Sequence, residues 1–131
     1  MGSNVVNIGF DQIADAIAAI SAGEMVVVLD DKTCPVGMVW NLEHFFAQES
    51  CGWCTPCWSG LGWTEKILFA MEHGMAAQQD MDTLKFQIKF LAPGNTFCAF
   101  APGAVEPLQS ALKYFAGDFQ QHIEEKRCPW R

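Results

Sequence analysis

Apolar positions recur with helical spacing along most of the chain, interrupted once by a continuous run. Phe10, Ile13, Ile17 and Ile20 are three or four residues apart, with Asp11 near the start, so this segment predicts a helix that Gly23 stops. Met25-Val-Val-Val-Leu29 is unbroken and mostly β-branched, which predicts a short buried strand closed by Asp30, Asp31 and Lys32. Beyond Pro35 the helical period returns. Val36, Val39, Trp40, Leu42, Phe45 and Phe46 make one apolar face running toward Ser50, and Trp63, Ile67, Leu68 and Met71 make another ending near Gly74. A third helix starts around Asp80 or Asp82, either able to cap it, and carries Leu84, Phe86, Ile88 and Leu91 until Pro93-Gly94 breaks it. A fourth follows Gly103 with Val105, Leu108, Leu112, Phe115, Phe119 and Ile123 on one side, and Gly117 is where it kinks or divides. Amphipathic helices joined by short Gly/Pro connections pack most economically as an antiparallel bundle. The expected fold is mainly α: a four-helix bundle over residues 35–131, preceded by a helix-strand segment over residues 1–34.

Composition narrows what such a bundle does. At 131 residues the chain holds one domain, and five Trp with ten Phe can fill a core, so disorder is excluded for most of it. The net charge of -7 repels phosphate backbones and anionic lipid, which argues against nucleic acid as a partner. The longest aliphatic run, Met25 to Leu29, is far short of the ~20 residues a membrane span needs, so no membrane insertion is expected. The N-terminus has no basic n-region or apolar h-region, and Val6 replaces the Ser or Thr of a myristoylation pattern. The expected address is cytoplasmic, where thiols signal metal or redox chemistry more than disulfides, and six cysteines become the informative residues.

Cys51, Cys54 and Cys57 form a Cys-x2-Cys-x2-Cys run within Ser50-Cys-Gly-Trp-Cys-Thr-Pro-Cys57. A turn containing Gly52 and Pro56 can aim three sulfurs at one compact multi-iron object and free backbone N–H groups for its sulfides. A [4Fe-4S] cube needs a fourth thiolate, from Cys34, Cys98 or Cys128. Cys98 follows the breaker Pro93-Gly94-Asn95, and two antiparallel helices after Cys57 return the chain to the same end, which favours Cys98. Three other readings compete. Structural zinc prefers two separated cysteine pairs. A disulfide framework suits an even cysteine count but not a chain without a secretory leader. Plain burial as small hydrophobes does not explain three thiols so closely spaced. Cys34 and Cys128, with no neighbouring thiol in sequence, read as packed or incidental. Trp53, Trp58, Phe97 and Phe100 flank the thiols and read either as a water-excluding shield or as plain core. Glu49, His44, His73 and His122 stand at no catalytic spacing and read as solvated or capping groups. No glycine-rich nucleotide fingerprint is present in the sequence.

These residues carry a resemblance. Asp30-Asp-Lys-Thr-Cys34, Phe45-Phe-Ala-Gln-Glu-Ser-Cys-Gly-Trp-Cys-Thr-Pro-Cys57, Asn95-Thr-Phe-Cys-Ala99 and Ala111-Leu-Lys-Tyr-Phe115 together resemble the C-terminal part of the flavoprotein subunit of NADH:quinone oxidoreductase, respiratory complex I, over about residues 25–131. NAD-reducing hydrogenases and formate dehydrogenases carry a similar segment. The resemblance implies a helical domain whose [4Fe-4S] cluster, held by Cys51, Cys54, Cys57 and Cys98, accepts electrons from FMN reduced by NADH and passes them toward quinone. It implies as partners the other subunits or domains of an NADH-oxidising complex peripheral to the membrane, with FMN and NADH on a separate or missing domain. The expectation is that this chain does not oxidise NADH alone. Trp58-Ser59-Gly60 stands where the family usually has Arg-Glu-Gly, and Ala116-Gly117 where it is generally charged, changing the charge near the cluster or its contacts.

Residues 10–31 more weakly resemble the opening helix and strand of 3,4-dihydroxy-2-butanone 4-phosphate synthase. Lys32-Thr33-Cys34-Pro35 replaces that enzyme's acidic, Arg-containing loop, so its chemistry has no residues to run on. The sequence thus supports an electron-transfer module with one [4Fe-4S] cluster. The alternatives are a structural, metal-stapled interaction domain without redox role, or an inactive fragment of a riboflavin-pathway synthase fusion.

Overall fold

The computed structural model describes Ser21 and residues 30–131; the helix expected over 10–20 and the strand expected over 25–29 lie outside the described residues. Residues 34–131 form one compact unit. Among the described elements, five helices of this unit and no strand make it mainly α, as the hydrophobic periodicity implies.

Helix α1 spans Pro35–Glu49 and α2 spans Thr55–Glu72. Each has a proline in its first turn, where the missing N–H has no helical partner to lose. Cys34 caps α1, its Sγ accepting the Gly37 N–H at 3.3 Å. Helix α3, Gln78–Phe90, begins ahead of the expected start. Asp80 does not occupy the N-cap but the third helical position, and its Oδ2 accepts the Ala77 N–H at 2.7 Å. Asn95 closes the other end by donating from Nδ2 to the carbonyls of Lys89 and Phe90 at 3.3 and 3.0 Å.

The last predicted helix is two. Helix α4 runs over Phe100–Tyr114 and α5 over Ala116–Glu125, and the break falls at Phe115, two residues before Gly117. Helix α4 also starts earlier than Gly103, because Pro102 sits in its first turn, while Pro107 lies inside it.

The core explains the order of packing. Helix α1 lies mainly against α2 and also on α4, α2 carries α3, and α5 closes over α2 and α4. Val36 and Val39, Leu68 and Met71, Leu84, Leu108 and Phe119 are almost fully removed from water and form the main apolar cluster. A second, smaller cluster of Cys57, Leu61, Leu91, Ala101, Ala104 and Val105 holds the end of the bundle where the cysteine loop lies. Gly60 permits the α2–α3 approach there, since a Cβ would meet Leu91 Cδ2 at 3.0 Å.

The polypeptide turn after α2 is equally constrained. Gly74 has φ +71°, and a Cβ on it would collide with the carbonyl of Lys126, so the segment following α5 passes directly over this turn. Lys126 Nζ donates to the Ala76 carbonyl at 2.6 Å and fixes the crossing. This contact brings the last residues of the chain beside the end of α2.

Candidate metal centre

The four cysteines favoured as ligands reach one cavity from two separate stretches of backbone, residues 51–57 and the connection that carries Cys98. Cys51 lies in the α1–α2 connection, Cys54 is the N-cap of α2, and Cys57 is in the first turn of α2. Gly52, at φ +76°, makes the turn that lets Cys51 and Cys54 face the same space. Ser50 Oγ accepts the Gly52 N–H at 3.4 Å and sits 3.3 Å from Cys57 Sγ, tying the loop to the helix it precedes. Cys98 arrives from the α3–α4 connection, whose course is set by Asn95, by Gly94 at φ +95° and by the Thr96 hydroxyl donating to the Cys98 carbonyl at 3.0 Å.

Cys51, Cys54, Cys57 and Cys98 line this cavity together with Glu49, Thr96 and Phe100, and its volume is about 230 Å³. That is several times the roughly 30 Å³ taken by one water, so the space suits a polyatomic group. Cys57 is buried, Cys54 half-buried, and Cys51 and Cys98 exposed. The donor set is four thiols, the set that an iron-sulfur cube requires. Among the described residues, only one group of three or more candidate metal ligands has all its donor atoms within 4.8 Å of one another, and it lies elsewhere.

Three of the four flanking aromatics form neither the shield nor the core that the sequence leaves open. Trp53 is 81% exposed and Phe97 86%, each on a loop that also carries an exposed cysteine. Trp58 projects to solvent from the first turn of α2. Phe100 alone of the four lines the cavity, and it packs edge-on against Phe46 of α1. Glu49, read from sequence as solvated or capping, contributes to the cavity wall.

The group that does meet single-ion spacing is Cys34, Glu72, His122 and Cys128. Cys34 and Cys128, which the sequence reads as packed or incidental, are indeed half-buried and buried, and what the sequence does not show is that they meet Glu72 and His122; the structure corrects only the reading of His122 as solvated or capping. His122 is fully buried because α5 turns it into the core beside Phe119, and the two thiols face each other across the fold although distant in sequence. His44 and His73 do sit near the surface: His44 Nε2 is 2.9 Å from Gln48 Nε2, and His73 follows α2 with Nδ1 donating to the Phe69 carbonyl at 2.8 Å. Glu43 is a further residue that periodicity does not flag. It lies fully buried on α1, neither carboxylate oxygen has a hydrogen-bond partner, and burial pushes its carboxyl up to about 8.

Comparison with known proteins draws on the same residues. The family model described as the NADH-ubiquinone oxidoreductase-F iron-sulfur binding region matches residues 37–122. The chain is 49% identical over 116 residues to the F subunit of NADH-quinone oxidoreductase from Escherichia coli (strain K12), covering 88% of this chain and 26% of that protein. It is 45% identical over 130 residues to the F 2 subunit of NADH-quinone oxidoreductase from Rhizobium meliloti (strain 1021), 98% of this chain and 30% of the relative. Against the F subunit from Streptomyces coelicolor (strain ATCC BAA-471 / A3(2) / M145) it is 40% identical over 101 residues, covering 77% and 22% respectively. The chain therefore spans about a quarter of the length of the curated relatives it matches.

Proposed function

The chain belongs to the NADH-ubiquinone oxidoreductase-F iron-sulfur binding region family, and from that membership we propose that residues 35–131 are an electron-transfer module in which Cys51, Cys54, Cys57 and Cys98 hold one [4Fe-4S] cluster. The observation that carries the reading is the convergence of these four thiols on one cavity of about 230 Å³. When bound, the cluster supplies one-electron transfer without chemical change to a substrate.

The protein's own residues have defined tasks in this reading. Cys57, buried in the second core cluster, anchors the cavity to the rigid first turn of α2. Ser50 and Gly52 hold the loop carrying Cys51, and Phe100 and Phe46 close the wall toward the core and keep water from that side. Cys51 and Cys98, the exposed pair of the four, would hold a bound cluster on the side that a neighbouring redox partner can approach. Trp53 and Phe97, exposed at that side, form an apolar rim for a neighbouring domain or subunit. By the names of its relatives, that neighbour belongs to an NADH-quinone oxidoreductase, and in this proposal FMN and NADH bind outside these residues. No helix among the described residues is long and apolar enough to cross a membrane. The proposed location is cytoplasmic, peripheral to the membrane through the assembly.

A redox titration of the anaerobically reconstituted chain separates this function from a merely structural cluster. The expected result is reversible one-electron reduction with the spectrum fully restored on reoxidation. A cluster that stays silent across the accessible range, or falls apart on reduction, assigns the site to structure instead.

A further inference from the structure

We propose that Cys34, Glu72, His122 and Cys128 form a second metal site, one that binds a single zinc-class divalent ion at the end of the bundle remote from the cysteine cavity. Helix α1 runs from Cys34 to the cysteine loop, and α2 runs back from it to Glu72. With 15 residues at about 1.5 Å each, α1 separates the two ends by roughly 22 Å.

The four donor atoms lie within 4.8 Å of one another, close enough that about an ångström of side-chain adjustment gathers them on one ion with bonds of about 2.0–2.3 Å. Cys34 Sγ is 3.4 Å from Glu72 Oε2 and 3.3 Å from His122 Nε2, and that nitrogen is 3.3 Å from Glu72 Oε2. The imidazole is oriented for ligation. Its Nδ1 lies 2.7 Å from the Asp118 carbonyl, which can only accept, so Nδ1 carries a proton and Nε2 presents its lone pair to the group in the neutral ring. The Glu72 and His122 side chains are wholly removed from water.

The arrangement is otherwise short of positive charge. Glu72 Oε1 has no hydrogen-bond partner, and the Arg131 guanidinium approaches it at 3.5 Å. Two thiolates and one carboxylate around a divalent ion leave a single negative charge, which Arg131 faces. The set of two sulfurs, one imidazole nitrogen and one carboxylate oxygen fits tetrahedral zinc. The four ligands come from the cap of α1, the end of α2, α5 and the chain beyond α5, so the ion would tie the C-terminal segment to the first helices. This is independent of the cluster assignment, because no ligand is shared.

The test uses the full chain, purified anaerobically with its cluster after expression in zinc-supplemented medium. Zinc and iron are counted by mass spectrometry, and zinc K-edge absorption reads the ligands of the unmodified protein, so the answer does not depend on any variant folding. Expected are about one zinc per chain, with two sulfurs near 2.3 Å and two lighter ligands near 2.0–2.2 Å. Cys34→Ala/Cys128→Ala should lose the zinc and keep the iron, with affinity falling by more than the about 10–100-fold typical of losing an outer-shell partner. Cys51→Ala/Cys98→Ala should lose the iron and keep the zinc. Four outcomes overturn the proposal: failure of the unmodified chain to retain or take up zinc, an all-sulfur zinc environment, iron in place of zinc, or a Cys34–Cys128 disulfide in non-reduced peptides.

Discussion

Cys98→Ala is expected to strip the cluster from the chain, taking iron from about four atoms per chain to near none, since a cube takes one thiolate per iron. Cys34→Ala and Cys128→Ala are expected to leave the iron count unchanged. Cys98 is the informative member of the four because it is the one outside the triplet and, like Cys51, it is exposed, so its replacement removes a sulfur without opening the core. The same substitution at the buried Cys57 would confuse ligand loss with damage to the packing around Leu61 and Leu91. Binding of the cluster contributes to folding, so the Cys98 variant should also melt at lower temperature and lose order around residues 50–60 first. Iron and sulfide analysis after anaerobic reconstitution checks the first effect, and hydrogen exchange the second. Full iron content in the Cys98 variant would remove this residue from the proposed ligand set.

Glu43→Gln is expected to stabilise the protein in mildly alkaline solution and to flatten part of its pH dependence. The wild-type carboxyl, fully buried with no partner, is pushed by desolvation from its usual 4.5 up to about 8. Between these values the folded state holds a proton that the unfolded state has released. Stability from this group is therefore complete below about 4.5 and is lost as pH rises through about 8. Because each tenfold change in proton affinity is worth about 1.36 kcal/mol, the loss is on the order of a few kcal/mol. The amide is neutral at every pH, so the melting temperatures of wild type and variant should diverge from pH 5 to pH 8, the variant being the higher. Parallel pH profiles for the two proteins would show that Glu43 reaches water.

The legible and illegible parts of this fold differ for physical reasons. Val36, Val39, Ile67, Leu68, Met71 and Leu84 repeat at helical spacing because each faces one core, and α1 to α3 are readable from that repeat. The division of the last helix is foreshadowed by Gly117 but not placed at Phe115, because α4 and α5 both present apolar faces and the pattern continues across the break. The cysteine triplet is visible since three of its thiols are neighbours along the chain. Cys34 and His122, 88 positions apart, meet only through tertiary packing, and no local pattern distinguishes them from incidental residues. Glu43 escapes notice for a related reason: it sits one helical turn after Val39 on the buried face, yet a glutamate in a helix ordinarily signals solvent.

Whether these residues carry a redox-active [4Fe-4S] cluster is decided by low-temperature EPR of the reconstituted chain before and after dithionite, with iron and sulfide counted on the same sample. Expected is a brown protein with about four iron and four sulfide per chain, silent when oxidised and showing the signal of a reduced cubane on reduction. A colourless chain that retains zinc in the cysteine cavity and gives no reduced-cubane signal would refute the cluster assignment.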